Sequence, residues 1–560
     1  MPLPLLAAVV IAALILGYRF YGRIVARHFD LDDRRPTPAE EINDGVDFVP
    51  TRPFYLLGQH FSAIAAAGPI AGPILACQMF GWLPCVLWIG LGVVFIGAVH
   101  DYSALVASVR HRAGSIAEIV REHIGPRAWA AILCFIWLAL VYVVVAFTDI
   151  TAGTFVHGGE DLQGVRGRFN PGGAVAAAAT MYLLLAVVMG FVQRRFSPPL
   201  WLVTLIFVPS TLGVVFLGTE VSTLLLLGHA EWCALIMGYC FLAALLPLWA
   251  LLQPRGYLGG FVLYMALAVG VCGVFLGGFD IKQPALTDRP LLGFEGSLFP
   301  FLFVTIACGA CSGFHGLVCC GTTSKQVALE SHCRPIGYGA MLLEGLVALI
   351  ALATVLVLSP AEAKGVQPGV LYGDGIARFI GVLLGDGSYT VARTFGAMAF
   401  STFVFDTLDV ATRLGRYILQ ELSGRKGRVP ALIATGLTTG VPLVILLLAG
   451  RDSYRTFWTL FGTSNQLLAG LTLLAISVWL KRAGRPCWFT VLPMLFMMAI
   501  TAWALVAQVT TFLKADGAVA LANAIAGLLL LLIASVLAVE SARALLAVKR
   551  APAAGAARPG

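Results

Sequence analysis

Long uninterrupted apolar segments recur along the whole sequence. Runs of about 18 or more such residues alternate with short polar connections, and a run of that length is what an α-helix needs to cross a lipid bilayer. Hydrophobic residues make up 59% of the 560 positions and charged residues only 12%, a balance far from that of water-soluble domains. We therefore predict an all-α polytopic membrane protein whose main partner is the lipid bilayer.

The apolar runs predict about fifteen transmembrane helices. Their limits, in chain order, are 2–20, 54–80, 82–108, 128–149, 172–192, 199–218, 231–252, 257–279, 297–320, 337–358, 389–412, 430–449, 456–480, 486–512 and 519–542. Residues 372–385 form a shorter apolar stretch, for which we expect an interfacial or re-entrant position. The polar connections are too short for an independent soluble domain.

The distribution of positive charge predicts the orientation of the chain. The net charge is +8, but Lys and Arg occur in short clusters between apolar runs rather than in one stripe, so we expect no nucleic-acid partner. If the N-terminus is outside, most of the 37 Lys and Arg residues fall on the cytosolic side, as the positive-inside rule requires. We predict a multi-pass inner-membrane protein with its C-terminus in the cytoplasm.

Two Gly-Pro pairs interrupt the second predicted span. They are Gly68-Pro69 and Gly72-Pro73, and because proline has no amide hydrogen, two helical hydrogen bonds are lost. We expect this helix to open in mid-membrane, where the positive N-terminus of a half-helix can face an anionic substrate. A kink that only shapes packing is the alternative. The four residues are substrate-binding candidates.

Glycines surround a single histidine in the ninth predicted span. Gly309 and Gly316 loosen the helix near His315, the only ionisable side chain in that span. An intramembrane titratable residue is a functional candidate by default, and an imidazole can carry a coupling proton or bond to a carboxylate. The alternative is an imidazole bonded to a backbone carbonyl. The further substrate-binding candidates are Ser312, Gly313 and His315 in this span and His60 in the second.

Three cysteines and His315 follow a helical repeat in the ninth span. Cys308, Cys311, His315 and Cys319 stand at i, i+3, i+7 and i+11, which places soft zinc or copper ligands on one helix face. One straight helix cannot surround an ion with four ligands, and small residues at this spacing also serve close helix packing. An intramembrane soft-metal protein or channel remains an alternative function, although we expect no resident cofactor or metal.

Carboxylates occur inside several apolar spans. Asp406 and Asp409 lie in the eleventh span, where Asp409 and Arg413, four residues apart, could form an ion pair. Asp406 lies deeper and has no partner nearby in the sequence. The candidates for coupling to H⁺ or Na⁺ are Asp101, His315, Asp406 and Asp409, whereas Glu344 is a further buried carboxylate and each acid could instead be structural. Thr463, Asn465 and Gln466 are expected to form interhelical hydrogen bonds.

Several motifs of these segments extend in order from about residue 40 to 470. The motifs are Asn43-Asp44-Gly45, Phe48-Val49-Pro50-Thr51, His60-Phe61 through Gly72-Pro73, Gly97-Ala98-Val99 with Asp101, Ile306 to Ala310, Ser312 to His315, Gly321-Thr322-Thr323, Thr407-Leu408-Asp409, Ala411-Thr412-Arg413, Leu460 to Thr463 and Asn465-Gln466. Together they resemble the carbon starvation protein A family of bacterial pyruvate and peptide transporters, whereas Gln59 and His100 depart from that family's usual residues.

The resemblance implies a secondary active transporter rather than an enzyme. Such a protein would import pyruvate or short peptides by alternating access, coupled to protons or sodium, during carbon starvation. It would have an inverted-repeat core like that of the leucine transporter and the amino acid-polyamine-organocation superfamily, with the two broken helices as the equivalent pair. A nutrient sensor could have the same kind of site, and the sequence does not indicate the oligomeric state.

The resemblance also implies a division of the chain. Residues 1–388 would form the N-terminal transmembrane region with both broken helices, and residues 389–548 a C-terminal region of five helices. Residues 549–560 would be a disordered cytosolic tail, because the sequence from 551 onward is rich in Ala, Pro and Gly and has no hydrophobic period.

Overall fold

The computed structural model describes residues 1–45, 47–65, 67–156, 169–293, 296–425, 427–450 and 454–550. Within these ranges the chain is built of helices, and β-pairing is limited to three isolated bridges. Helices are expected because lipid offers no hydrogen-bond partners, so that each spanning segment must satisfy its own backbone groups. The predicted all-α polytopic class is confirmed.

The helices follow one another with short connections. The first eleven are α1 (Leu3–Leu16), α2 (Gly22–Phe29), α3 (Pro38–Ile42), α4 (Pro53–Ile64), α5 (Gly68–Phe80), α6 (Trp82–Gly92), α7 (Ala98–Arg110), α8 (Ile116–His123), α9 (Pro126–Val156), α10 (Pro171–Phe196) and α11 (Leu200–Glu220). The remaining twelve are α12 (His229–Leu245), α13 (Leu252–Leu276), α14 (Leu298–Thr305), α15 (Gly313–Gly321), α16 (Ala340–Leu356), α17 (Pro360–Ala363), α18 (Pro368–Leu384), α19 (Tyr389–Ser423), α20 (Arg428–Ala449), α21 (Tyr454–Arg482), α22 (Trp488–Lys514) and α23 (Ala518–Arg550).

Eleven helical segments of the described chain are long and apolar enough to cross a membrane, and the bent pair α4–α5 would make a twelfth. Every one of the predicted spans overlaps one or two helices, and the second and ninth are each divided between two. The segments that fail the combined length and hydropathy test are α12, which is short, the interrupted pair α14–α15, and α19, which is long but polar. The count of fifteen crossings therefore remains a prediction, and eleven to twelve segments of the described residues meet the length and hydropathy criteria.

Three of the spanning segments contain a wide π-helical turn. These turns are Gly17–Tyr21 between α1 and α2, Val93–Gly97 between α6 and α7, and Arg334–Gly339 before α16. They pack on one another, because a Cβ built on Gly17 would lie 2.6 Å from Val94, and the Tyr338 hydroxyl donates to the Val94 carbonyl at 2.9 Å. A π turn leaves carbonyls poorly bonded, and Tyr338 satisfies one of them.

Helix α18 packs among the ends of several neighbouring helices. Arg378 donates to the carbonyl of Val357, just after the end of α16, at 3.0 Å. Phe379 packs so closely against Gly273, near the end of α13, that a Cβ there would meet its ring. This helix is not among the candidate spans, and the interfacial or re-entrant position of residues 372–385 stays a prediction.

Helix α21 lies at the centre of the bundle. Its side chains from Leu460 to Leu473 are all buried, including a run of polar residues that would be costly to expose to lipid. At the other extreme, α23 is largely lipid-facing and ends at Arg550. Residues 549 and 550 of the predicted disordered tail are therefore helical, and residues 551–560 lie outside the described residues.

Candidate functional site

The two predicted breaks are present and lie against each other. Helix α4 ends at Ile64 and α5 begins at Gly68, with a bend of 46° between their axes. The ninth span is helical to Thr305, non-helical through 306–312, and helical again from Gly313. A Cβ built on Gly309 would lie 3.5 Å from the Cα of Pro69. The interrupted parts of spans two and nine are thus direct neighbours.

Only one of the two Gly-Pro pairs breaks its helix. Pro69 follows Gly68 in the first turn of α5, where its missing N–H removes no intrahelical hydrogen bond. Pro73 lies inside the continuous helix α5, which corrects the prediction that both prolines open the span. A single lost backbone bond is tolerated in a membrane helix when neighbouring segments pack around it.

The candidate glycines of the second span serve close packing. A Cβ on Gly68 would lie 2.5 Å from the side chain of Cys308, and a Cβ on Gly72 would lie 2.8 Å from the Thr305 carbonyl oxygen. Real Cβ atoms do not approach other atoms this closely. The absence of side chains at these positions therefore lets α5 touch the unwound segment, whether or not a substrate also binds there.

Two indole groups bond the carbonyls that the break in the ninth span leaves without helical partners. The Nε1–H of Trp458 donates to the Thr305 carbonyl at 3.0 Å, and that of Trp88 donates to the Ile306 carbonyl at 3.1 Å. Both rings are buried. Because an unbonded carbonyl inside a membrane costs several kcal/mol, these contacts stabilise the open segment.

Asn465 of α21 bonds the start of α15. Its Oδ1 accepts the backbone N–H of Phe314 at 2.9 Å, and its Nδ2 donates to the Ser312 hydroxyl at 3.0 Å and to the Cys308 sulfur at 3.3 Å. The predicted interhelical role is thus observed for Asn465. The neighbouring Gln466 is buried, and its amide has no hydrogen-bond partner in the described part of the chain.

His315 lies between two carboxylates. Its Nδ1 donates to Asp101 Oδ2 at 2.9 Å, and its Nε2 lies 3.2 Å from Glu344 Oε2. His100 donates from its Nδ1 to the other oxygen of Asp101 at 2.7 Å. These four side chains, His100, Asp101, His315 and Glu344, form the acid–imidazole cluster, and none is more than 1% exposed. His315 is therefore bonded to a carboxylate, as expected for a functional imidazole, and not to a backbone carbonyl, which was the alternative.

The acid–imidazole cluster has the composition of a proton-binding site. A protonated His315 ring is attracted by both carboxylates, whereas a neutral ring would direct a lone pair at one of them. With His315 charged and both acids ionised, the cluster keeps one net negative charge in a dry environment, which favours taking up a further proton or a cation. Among the described residues, His100 Nε2 and both carboxylate oxygens of Glu344 have no hydrogen-bond partner, so the Glu344 contact with His315 is an ion pair without hydrogen-bond geometry.

His60 is linked to the acid–imidazole cluster through Cys319 rather than by a direct hydrogen bond. Its Nδ1 lies 2.8 Å from the Thr323 hydroxyl, and its Nε2 lies 3.8 Å from the sulfur of Cys319. Cys319 in turn donates to the backbone carbonyl of Asp101 at 3.4 Å. His60 is 1% exposed, so it is a buried neighbour of the cluster rather than a helix cap facing water.

The predicted Cys/His metal face is not formed. The backbone is non-helical from 306 to 312, so Cys308 and Cys311 do not continue the helix face that carries His315 and Cys319. The four side chains do not group as metal ligands among the described residues. The assumption of one straight helix was therefore wrong, because the glycines that loosen the span interrupt it.

A second charged cluster joins α13 to α19. Arg255 Nη2 lies 2.6 Å from Asp406 Oδ1, and its Nη1 lies 2.5 Å from Asp409 Oδ2. Tyr239 donates to Asp409 Oδ2 at 2.7 Å. Arg255 is 1% exposed and has the two acids as its ionic partners. We call Tyr239, Arg255, Asp406 and Asp409 the arginine cluster.

The arginine cluster corrects one prediction, because Asp409 pairs with Arg255 rather than with Arg413. Asp406, which has no partner nearby in the sequence, pairs with the same arginine. Arg413 instead donates to the carbonyls of Ala243 and Leu246, where α12 ends. Arg255 was not predicted, because its only signal in the sequence is an arginine next to an apolar run without an acid nearby. Helix α13 begins at Leu252, which draws Arg255 into the bundle.

The candidate substrate-binding residues are enclosed in this structure. His60, Ser312, Gly313 and His315 are buried, and so are the Gly-Pro positions of α5. A cavity of about 260 Å³ lies elsewhere, between α17, α18 and α19, where Glu362, Asp374, Arg378 and Arg393 line it. At its rim, hydrogen bonds from Ser359 lower the pKa of Glu362 to about 2. The cavity is therefore charged and does not open between the two breaks.

Comparison with known proteins gives consistent results. The family model for carbon starvation protein CstA matches residues 3–374 and 366–504. The peptide transporter CstA of Campylobacter jejuni is 32% identical in an alignment that covers 87% of this chain and 77% of the relative. The pyruvate/proton symporter BtsT of Escherichia coli is 31% identical in an alignment that covers 88% of this chain and 80% of the relative. The peptide transporter CstA of the same organism is 32% identical. All three relatives are named as transporters, not enzymes.

Among solved structures, a mutant of the manganese transporter of Eremococcus coleocola is similar to this chain with a TM-score of 0.46 and 13% sequence identity. The alignment covers 91% of this chain and 99% of the transporter. A second mutant of the same transporter gives a TM-score of 0.45 over 88% of this chain. We draw no conclusion from likenesses at this level.

Proposed function

Because the chain belongs to the carbon starvation protein CstA family, we propose that it is a secondary active transporter that imports pyruvate or short peptides. Its relatives include proteins named as peptide transporters and as a pyruvate/proton symporter. The proposal places it in a bacterial inner membrane with about fifteen crossings, the N-terminus outside and the C-terminus in the cytoplasm. The broken segments and α12 and α19 supply the crossings beyond those that length and hydropathy identify.

The single observation that carries the mechanism is the position of the acid–imidazole cluster. His315 is the third residue of α15, directly after the unwound segment of the ninth span. A proton that enters or leaves the cluster changes the charge beside that segment, and buried charge is costly unless it is paired. We propose that protonation of this cluster is the coupling step, with the arginine cluster as a second coupling candidate and sodium as the alternative ion.

The proposed substrate site lies where the two breaks meet. Half-helix N-termini present amide groups and a positive dipole end to an anion. The N-terminus of α15 already binds a polar oxygen, because Asn465 Oδ1 accepts the Phe314 amide. A substrate carboxylate would compete for such donors near Ser312 to His315 and near Gly68 to Gly72.

In this proposal, the same two helix breaks also permit alternating access. A helix that is already interrupted can tilt its two halves separately with little loss of backbone hydrogen bonding. The enclosed candidate residues then correspond to a closed state between outward-open and inward-open forms. This arrangement supports an inverted-repeat core like that of the leucine transporter, with α4–α5 and α14–α15 as the equivalent pair.

The test is uptake into proteoliposomes that contain the purified full-length protein. Labelled pyruvate and labelled dipeptides are offered under an imposed pH gradient without sodium, and separately under a sodium gradient without a pH gradient. We expect accumulation of one substrate class above the level in protein-free liposomes under one of these gradients. Absence of accumulation, together with absence of exchange between labelled and unlabelled substrate, would overturn the proposal and favour a sensor.

A further inference from the structure

Three potential metal ligands meet at the start of α12. None of them belongs to the acid–imidazole cluster or to the arginine cluster. His229 is the first residue of α12 and Cys233 stands four residues later, so one helical turn places both side chains on the same face. Asp149 approaches them from α9. None of the three belongs to the broken spans or to the motifs on which the proposed transport mechanism depends.

The three ligand atoms are close together and enclosed. His229 Nε2 lies 2.8 Å from Asp149 Oδ1, and the sulfur of Cys233 lies 3.8 Å from His229 Nδ1 and 4.0 Å from Nε2. One atom from each side chain falls within 4.8 Å of the others. Asp149 and Cys233 are each 1% exposed, whereas the His229 side chain is 11% exposed and provides the access from outside the bundle.

We propose that Asp149, His229 and Cys233 form a binding site for zinc or another thiophilic divalent cation. Zinc takes nitrogen, sulfur and carboxylate ligands at about 2.0–2.3 Å in a tetrahedron, which sets neighbouring ligand atoms roughly 3.3–3.7 Å apart. The sulfur–nitrogen distances are already near this range, and the histidine–aspartate pair must open by less than about 1 Å. Three protein ligands leave the fourth position for water.

The ligand chemistry selects the class of ion. A thiolate, an imidazole and one carboxylate favour zinc over calcium or magnesium, which prefer all-oxygen sites. The described residues contain one other group of this kind, His111, Glu122 and His123, and it has no sulfur.

A bound ion would tie α12 to α9. Tyr239 of the arginine cluster lies ten residues beyond His229 on α12, about 15 Å along the helix axis. The ion would therefore restrain the same helix that donates to Asp409. This site does not depend on the proposed transport function, since binding can be measured in the absence of substrate.

Cobalt(II) is the probe, because it can occupy zinc sites and its absorption spectrum shows whether a thiolate is among its ligands. Purified full-length protein in detergent is titrated with Co²⁺, and the near-ultraviolet band that arises only from thiolate-to-cobalt charge transfer is recorded. We expect this band at a stoichiometry of one ion per chain, and we expect Zn²⁺ to displace it. Cys233→Ser is the test variant, and Cys134→Ser is the matched control. Cys134 also lies on a helix of the site, α9, but its side chain is exposed.

The site is supported if Cys134→Ser keeps the band while Cys233→Ser and His229→Ala lose it. Zn²⁺ should also raise the thermal unfolding temperature of the wild-type protein but not of Cys233→Ser, because an ion that binds only the folded state stabilises it. Retained elution of Cys233→Ser as a single species in gel filtration shows that it folds. A wild-type protein without the charge-transfer band, or a band that survives in Cys233→Ser, overturns the proposal.

Discussion

His315 and Glu344 face each other across the interface of α15 and α16, with 3.2 Å between Nε2 of the imidazole and Oε2 of the carboxylate. The opposite nitrogen of the same ring bonds Asp101 at 2.9 Å. One imidazole thus joins acids from two other spanning segments at the edge of an unwound stretch. Any change in the charge of Glu344 therefore changes the electrostatic interaction with His315 at the start of α15.

Glu344→Gln should abolish gradient-driven uptake and spare exchange. Glutamine has nearly the shape of glutamic acid but cannot release a proton, so the cluster loses a titrating group with little change in packing. We expect accumulation under a pH gradient to fall to the level of empty liposomes while exchange of labelled for unlabelled substrate continues. The matched control is Glu362→Gln, because Glu362 lies outside the spans. Full gradient-driven uptake by Glu344→Gln would contradict the assignment.

Arg255→Met should destabilise the protein by about 3–5 kcal/mol, the cost of leaving the buried Asp409 without its ion-pair partner. Asp406 would lose the same partner. The measurement is thermal or denaturant unfolding in detergent, with Arg413→Met as the control, because Arg413 donates to carbonyls and is not the acids' partner. Adding Asp409→Asn to Arg255→Met should recover part of the loss. Equal effects of the two arginine substitutions would argue against the arginine cluster.

Gly72→Ala should disrupt the contact between the two broken spans. The new Cβ would lie 2.8 Å from the backbone carbonyl oxygen of Thr305, which cannot move as a side-chain end can, and such overpacking costs about 1–3 kcal/mol. Gly256→Ala is the control, since nothing lies within 4 Å of its Cβ position and alanine is the better helix former. Unfolding temperatures in detergent should fall for the first variant and hold or rise for the second.

Asn465→Leu should loosen the start of α15, whereas Gln466→Leu should not. Loss of Asn465 leaves the Phe314 amide without its acceptor, at a cost of about 1–3 kcal/mol for a buried donor. Gln466 has no hydrogen-bond partner among the described residues, so replacing its amide with an apolar side chain removes a desolvation cost. Hydrogen–deuterium exchange of peptides that cover 306–321 reports the difference, and similar exchange in both variants would refute it.

The C-terminal end of α8 should become more mobile in acid. Burial, and then the neighbouring His111, lower the pKa of His123 below its usual value. The neutral ring donates to His111, whose Nε2 lies 2.7 Å away. A lowered folded-state pKa means that this contribution to stability is present above pH about 6.5 and is lost as the pH falls below that value. Exchange of peptides covering 111–124, corrected for intrinsic rate, should rise between pH 7.5 and 5.5 in wild type but change little in His123→Gln.

Hydropathy was sufficient to place the helices, because crossing a bilayer imposes a length and a composition that few other structures share. The breaks were also visible, since proline and clustered glycine act through the local backbone. Pro73 shows the limit of that argument. Whether one missing hydrogen bond opens a helix depends on the neighbours that pack against it, and the sequence does not list them.

The pairing of charges could not be predicted in the same way. His315, Asp101 and Glu344 were each singled out, but their contacts join different helices and are set by how the bundle packs. For Asp409, the nearest cation in sequence, Arg413, was the natural choice, yet the geometry of α13 brings Arg255 closer. The Cys/His face failed for a related reason, because it assumed regular helix through residues whose glycines interrupt it.

The π turns before α7 and α16 give the acid–imidazole cluster an unusual dependence on chain register. Asp101 follows the turn Val93–Gly97, and Glu344 follows the turn Arg334–Gly339. Each such turn holds one residue more than an α-helical turn, and each residue advances the helix by about 100°. Deleting a single amino acid from either turn would rotate the carboxylate away from the imidazole while leaving hydropathy and composition almost unchanged. Two homologues could thus share every acid and base in an alignment and, through one gap, differ in whether those groups meet.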